Sequence, residues 1–178
     1  MPASDKLSQK PVDSCALTPP VRRPADLRLA LYQPDIAPNV GAALRLGACL
    51  GVAIDLIEPF GFVYHPARLR RSGLDYAALA AVRRHASFTA FQDWRHAAGR
   101  RLVLLTTAAA QPYIEFAFRP DDVLMAGRES AGVPGEVQAG ADARLVVPML
   151  AGRRSLNVVT ACAIVLGEAL RQGDPSRT

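Results

Sequence analysis

No apolar run in this chain approaches the roughly 18 residues that a membrane helix needs, which excludes a membrane protein. The first residues, MPASDKLSQKPVDSCALTPPVRRPADLR, hold no continuous apolar segment of the kind a secretory signal carries, so the expected location is the cytoplasm. Cysteine and histidine are scarce: Cys15, Cys49 and Cys162 form no C-x-x-C pair, and His65, His85 and His96 lack ligand spacing. A disulfide framework and a structural zinc are thereby excluded, and no metal is expected. Neither G-x-G-x-x-G after the first strand nor G-x-x-x-x-G-K-[ST] occurs, so a dinucleotide fingerprint and a P-loop are absent too.

What the chain does hold is apolar material for a full core. Its 178 residues, 50% hydrophobic and 21% charged, suffice for one domain and are too few for two ordinary ones. Residues 1–26, rich in Pro, Ser and charge without apolar periodicity, are expected to be a disordered extension. The domain is placed at 27–172, with 173–178 a flexible tail. Within it, β-type runs alternate with helical patterns. LALY, an Ala/Leu-rich segment from Asn39, and VAIDLI come first; a stretch after Ser87 follows, with Phe88, Phe91 and Trp94 spaced by three. RLVLLTT, DVLMAG, RLVVPM and a long last helix complete the series. This grammar predicts five or six strands in a mostly parallel sheet with helices on both faces.

Basic residues outnumber acidic ones 21 to 16. The isoelectric point of about 9.6 favours a polyanionic partner. The excess concentrates between His65 and Arg101, where eight arginines face only Asp75 and Asp93. Arg68, Arg70 and Arg71, with Tyr64 and Tyr76 nearby, suit phosphate contacts and base stacking with RNA. Yet 19 of the 21 basic residues are arginine, a bias under which any one of them can equally be solvated surface.

Leu156, Val159, Ala163, Leu166 and Leu170 follow three-four spacing, while Val158, Ala161, Cys162 and Val165 make the other faces apolar too. No charge lies between Leu156 and Gly167. Such a helix must be buried on more than one side, either by crossing the core or under a second subunit. A homodimer through this C-terminal helix is the favoured expectation.

Three segments carry chemistry. The first strand-to-helix turn reads YQPDIAPNVGAALRLGACLG, where Asn39 suits a helix N-cap, Gly41 admits a close backbone, and Arg45 follows about one and a half turns on. A capped helix with a surface arginine is the plain alternative. LMAGRESAGVP, residues 124–134, ends an apolar strand with Gly127, Gly132 and Pro134. It leaves backbone polar groups at the carboxyl end of the sheet, where ligands of open α/β folds bind, although an ordinary turn reads the same way. VPMLAGRRSLNVVTACAIVLGEALR, residues 147–171, leads through Ser155 and Asn157 into the last helix, whose N-cap Ser155 can supply.

In this order the three segments resemble the motifs of the SPOUT methyltransferases. With IEPFGF and RLRRSGLDY, within 57–76, they are similar to the small tRNA wobble-ribose 2′-O-methyltransferase branch, over about Leu27 to Gln172. The resemblance implies an α/β domain with a C-terminal trefoil knot, a homodimer, and S-adenosyl-L-methionine bound bent within the knot loops. It implies methylation of the ribose 2′-hydroxyl of the wobble nucleotide, cytidine or uridine, in the tRNA anticodon stem-loop. Another RNA such as ribosomal RNA, or a non-catalytic RNA-binding module, is the alternative.

Carried onto this sequence, the resemblance implies Leu105, Gly127, Val147 and Ser155 at the cofactor, with Asn39, Arg45, Glu129 and Asn157 around the reacting ribose. Three positions depart from the common pattern: Ala126 stands where an aromatic is usual, Val159 where Ser is frequent, and Gly167 where Tyr is frequent. In relatives an arginine in the place of Arg45 is proposed as the base. A guanidinium, with a pKa above about 12, is a poor proton acceptor, so Arg45 is read as an electrostatic clamp. Glu129 or solvent is then the competing acceptor. A sulfonium donor carries its own activating charge, in keeping with the lack of metal-ligand spacing.

Overall fold

The computed structural model describes residues 26–64 and 81–173. Its strands are β1 (Arg28–Tyr32), β2 (Ala53–Ile57), β3 (Val82–His85), β4 (Leu102–Leu105), β5 (Gln111–Pro112), β6 (Val123–Ala126) and β7 (Ala143–Val146). They form one sheet in the order β3-β2-β1-β6-β4-β7-β5, and every neighbouring pair is parallel. The helices are α1 (Ala37–Leu50), α2 (Phe88–Ala97), α3 (Gly135–Ala139) and α4 (Val158–Gln172).

Both faces of the sheet are covered, which is why its inner strands read as unbroken apolar runs. Leu29, Leu31, Ile54, Leu56, Leu124 and Leu145 pack against Val40 and Leu44 of α1 and Cys162, Val165 and Leu166 of α4. Ala30, Tyr32, Leu102, Leu104 and Met125 pack on the other face against Phe91 of α2 and Val137 of α3. Burial pushes the Cys162 thiol up to about 12, so it stays a neutral packing group.

The sheet has seven strands, one or two more than its apolar runs predict. The additions are β5, only two residues long, and β3, whose VRRH sequence has no apolar alternation. Among the described residues β3 lies at the sheet edge and pairs with β2 alone, and its two charged arginines disfavour edge-to-edge association.

Two helix starts also differ from expectation. Asn39 does not cap α1: the helix begins at Ala37, with Ile36 as N-cap and Pro38 in the first turn, where a missing N–H costs nothing. Asn39 therefore stands inside the first turn, free to face another loop. Ser155 does not cap α4 either; Asn157 does, its Oδ1 accepting from the N–H groups of Val159 (2.9 Å) and Thr160 (3.3 Å).

α4 is buried on one side. Cys162, Val165, Leu166 and Ala169 are covered, Val159, Ala163, Ile164 and Leu170 are half-buried, and Leu156 precedes the helix and is exposed. It lies on the sheet rather than crossing the core. Among the described residues no helix is long and apolar enough to cross a membrane.

Candidate active site at the carboxyl ends of the strands

From β1 the chain winds outward to β2 and β3 on one side, while β6 flanks β1 on the other. Ligands of open α/β sheets bind at such a switch point, beyond the carboxyl ends of the strands. β1 there delivers the 33–39 turn and β6 delivers the 127–132 loop, side by side because Leu31 is in register with Ala126.

A cavity of about 440 Å³ opens at this point, within the usual range of ligand sites. Leu105, Gly127, Val147 and Ser155 all line it, as do Asn39, Glu129 and Asn157. Ala126, Val133, Leu145 and Met149 add apolar wall. Seven of the eight residues that the resemblance places at cofactor or ribose thus share one cavity. Arg45 is the exception: it is exposed on α1 and does not line the cavity. Six residues beyond Asn39 places it about 240° around the helix and about 9 Å along it.

Gly127 has a structural reason of its own. A Cβ there would stand 2.6 Å from the backbone carbon of Gly132. Gly132 itself has a φ of 65°, and paired backbone hydrogen bonds of 2.9 Å between Arg128 and Gly132 close the loop. Glycine at 127 and 132 is what allows this tight return.

A chain of hydrogen bonds joins the three motifs. Asn157 Nδ2 donates to Asn39 Oδ1 at 3.1 Å, and Asn39 Nδ2 donates to Glu129 Oε1 at 2.9 Å. Its direction is fixed by chemistry. An ionised carboxylate only accepts, so Asn39 must turn its amide nitrogen to Glu129 and its oxygen to Asn157. Asn157 then donates, leaving its own oxygen for the α4 N-terminus.

Sequence reasoning missed the partner of Glu129 in the first motif. Asp35 Oδ1 accepts the Glu129 N–H at 3.2 Å, its Oδ2 accepts the Ser130 N–H at 3.3 Å and the Ser130 hydroxyl, and the Asp35 N–H donates to Glu129 Oε2 at 3.1 Å. Burial first, and the neighbouring Asp35 second, raise the Glu129 carboxyl above its ordinary value. Asp35, hydrogen-bonded to the Glu129 side chain and to Ser130, falls to about 2. The signal was an acidic residue between a strand and a Pro-containing helix start; its partners lie about 94 positions away. Gln33, at the same turn, has a φ of 44°, unusual for a non-glycine residue and frequent at functional turns.

The arginine-rich stretch divides. Arg84 pairs with Glu58 at 2.6 Å, Arg95 with Asp142 at 2.7 Å, Arg101 with Asp122 at 2.8 Å, and Arg100 with Asp26. These four are matched by acids outside the stretch, so its local excess overstates the free charge. Arg83 lies over the Trp94 ring at 4.8 Å. Arg68, Arg70 and Arg71 lie outside the described residues.

Known proteins share this sequence pattern and this fold. The model of the SpoU rRNA Methylase family matches residues 26–167. A tRNA (cytidine(34)-2′-O)-methyltransferase of Beijerinckia indica is 60% identical over 144 residues, 81% of this chain and 90% of the relative. One of the same name from Escherichia coli K12 is 37% identical over 148 residues, 82% and 93% of the two chains. A solved structure concerned with the 2-OH methylation of C/U34 on tRNA has a TM-score of 0.79 at 39% identity, covering 84% of this chain and 97% of that one. The SpoU methyltransferase AviRb of Streptomyces viridochromogenes, in complex with AdoMet, has a TM-score of 0.75 at 28% identity, covering 86% and 62%. The family model's match over residues 26–167, with relatives 60% and 37% identical, places the chain in the SpoU rRNA Methylase family.

Proposed function

We propose that this chain methylates the ribose 2′-hydroxyl of the wobble nucleotide, cytidine or uridine at position 34, in the tRNA anticodon stem-loop, with S-adenosyl-L-methionine as donor. The observation that carries the reading is the hydrogen-bonded chain from Asn157 through Asn39 to Glu129 at the cavity. Relatives of that name, matched over 90% or more of their length, supply the substrate class.

The cofactor fits the residues present. Leu105, Ala126, Leu145 and Val147 give apolar wall, and the backbone around Gly127 and the Ser155 hydroxyl give polar contacts. Bound there, the sulfonium supplies an activated methyl group. The protein's task is then orientation, which by itself lowers barriers by several kcal/mol, on the order of 7–11 in favourable cases. Glu129 accepts the 2′-hydroxyl proton, and its raised pKa makes it a stronger base than an ordinary carboxylate. Asn39 holds Glu129, and Asn157 holds Asn39. Arg45, exposed on α1, acts from the RNA side as an electrostatic clamp. A homodimer through α4, a trefoil knot formed by the C-terminal segment and action in the cytoplasm belong to the same reading.

Mapping 2′-O-methyl groups in total tRNA from a deletion strain tests it. Position 34 should lose its methyl group and regain it on complementation. Retention at 34 with loss elsewhere, for instance in ribosomal RNA, would overturn the substrate assignment.

A further inference from the structure

Between β1 and α1 the chain presents one carboxylate, Asp35, to the loop carrying Glu129. It takes three hydrogen bonds from that loop, from the Glu129 N–H, the Ser130 N–H and the Ser130 hydroxyl, and returns one from its own N–H to Glu129 Oε2. The loop does not need Asp35 to close, because Arg128 and Gly132 already pair through two backbone hydrogen bonds. What Asp35 adds is orientation. With Oε2 held by the Asp35 N–H and Oε1 by Asn39, both Glu129 oxygens have a located donor.

We propose that Asp35 is a positioning residue for methyl transfer, fixing the 128–132 loop so that Glu129 faces the cavity as proton acceptor. This rests on the acceptor role read for Glu129 above. Two adjacent carboxylates resist ionising together, so the one with more donors keeps the charge and the other becomes the better base. Asp35 keeps it. The other groups around Glu129 are Asn39 from α1, whose hydrogen bond opposes the rise, Arg128 on the same loop, and the neutral Cys162 of α4. Arg45 is on α1 as well but does not line the cavity.

The test is the pH profile of single-turnover methyl transfer to tRNA, with full-length protein and saturating cofactor. For the wild type the rate should fall on the acid side as Glu129 becomes protonated, and Glu129→Gln should abolish that limb. Asp35→Asn removes the like charge and one acceptor; its limb should move to lower pH, and its plateau should fall on the order of 10-fold or more. Asp35→Glu, which keeps charge and acceptors, should restore the limb. A limb unmoved in Asp35→Asn but lost in Glu129→Gln overturns the Asp35 proposal and leaves Glu129 as acceptor. A limb that persists in Glu129→Gln overturns both. Should Asp35→Asn not fold, carbon-13 titration of the wild-type carboxyls decides: the Glu129 curve should respond to Asp35 in a second step at low pH, and a single ordinary step overturns the proposal.

Discussion

Ser155 lines the cavity and Arg45 does not, so truncating each should fail in a different way. Arg45→Ala should leave S-adenosyl-L-methionine affinity nearly intact and lower turnover on the order of 10²-fold, as for an interaction strengthened in the transition state. Ser155→Ala should weaken cofactor binding first, by roughly 0.5 to 1.5 kcal/mol for one neutral hydrogen bond. Calorimetry with the cofactor, beside turnover on tRNA, separates the two. Arg45→Lys keeps the charge and loses the planar fork, so full turnover in that variant would refute a bidentate clamp. At this scale the residue types are legible in the sequence and their partners are not. Asn39 is visible as a polar residue at a helix start. Its task is to bridge Glu129 and Asn157, which only the folded chain brings within 2.9 and 3.1 Å of it. Asp35 escapes notice because its local signal, an acid ahead of a Pro-containing helix start, does not reveal partners on another loop.

α4 joins fold and site through one side chain, since Asn157 caps the helix with its oxygen and holds Asn39 with its nitrogen. Asn157→Asp separates these tasks. Aspartate caps as well as asparagine, so the melting temperature should stay within a few degrees of wild type. It cannot donate, however, so the Asn39 oxygen loses its partner and methyl transfer should fall while the helix persists. A variant with wild-type turnover would show that Asn157 is only a cap. Asn157→Ala should lose both, with a stability cost of about 1 kcal/mol. Elements with an apolar period are legible in the sequence: the inner strands from their continuous runs, and α2 from Phe88, Phe91 and Trp94. β3 and β5 are not, because a charged edge strand and a two-residue strand owe their existence to a neighbour's backbone. The start of α4 is offset from its apolar pattern, which begins at Leu156, whereas the backbone turns helical only after the cap at Asn157.

For the whole molecule, assembly and RNA binding depend on surfaces that strand and helix patterns do not reveal. Val165 is fully buried within one chain, so an acidic residue there tests folding rather than assembly. Ile164, about 100° around α4 from Val165, is half-buried, so Ile164→Asp should leave a folded monomer if the proposed homodimer uses that face. Light scattering should give twice 19.0 kDa for wild type, and 19.0 kDa at micromolar concentration would refute the dimer. RNA affinity calls for a different accounting. Arg84, Arg95, Arg100 and Arg101 each have an acidic partner, and a guanidinium already paired releases few counterions when RNA arrives. Within the arginine-rich stretch the electrostatic burden should therefore fall mainly on Arg68, Arg70 and Arg71, beside Arg83 over the Trp94 ring. Replacing all three with Gln should weaken tRNA binding and lower the slope of log affinity against log salt by roughly 0.7 to 0.9 for each phosphate no longer neutralised. Cofactor affinity should barely change. Replacing Arg95 instead should cost stability and leave the salt slope alone, because Arg95 is buried in the fold and already paired with Asp142. An unchanged slope in the triple variant would return those arginines to solvated surface and move the RNA interface elsewhere on the molecule.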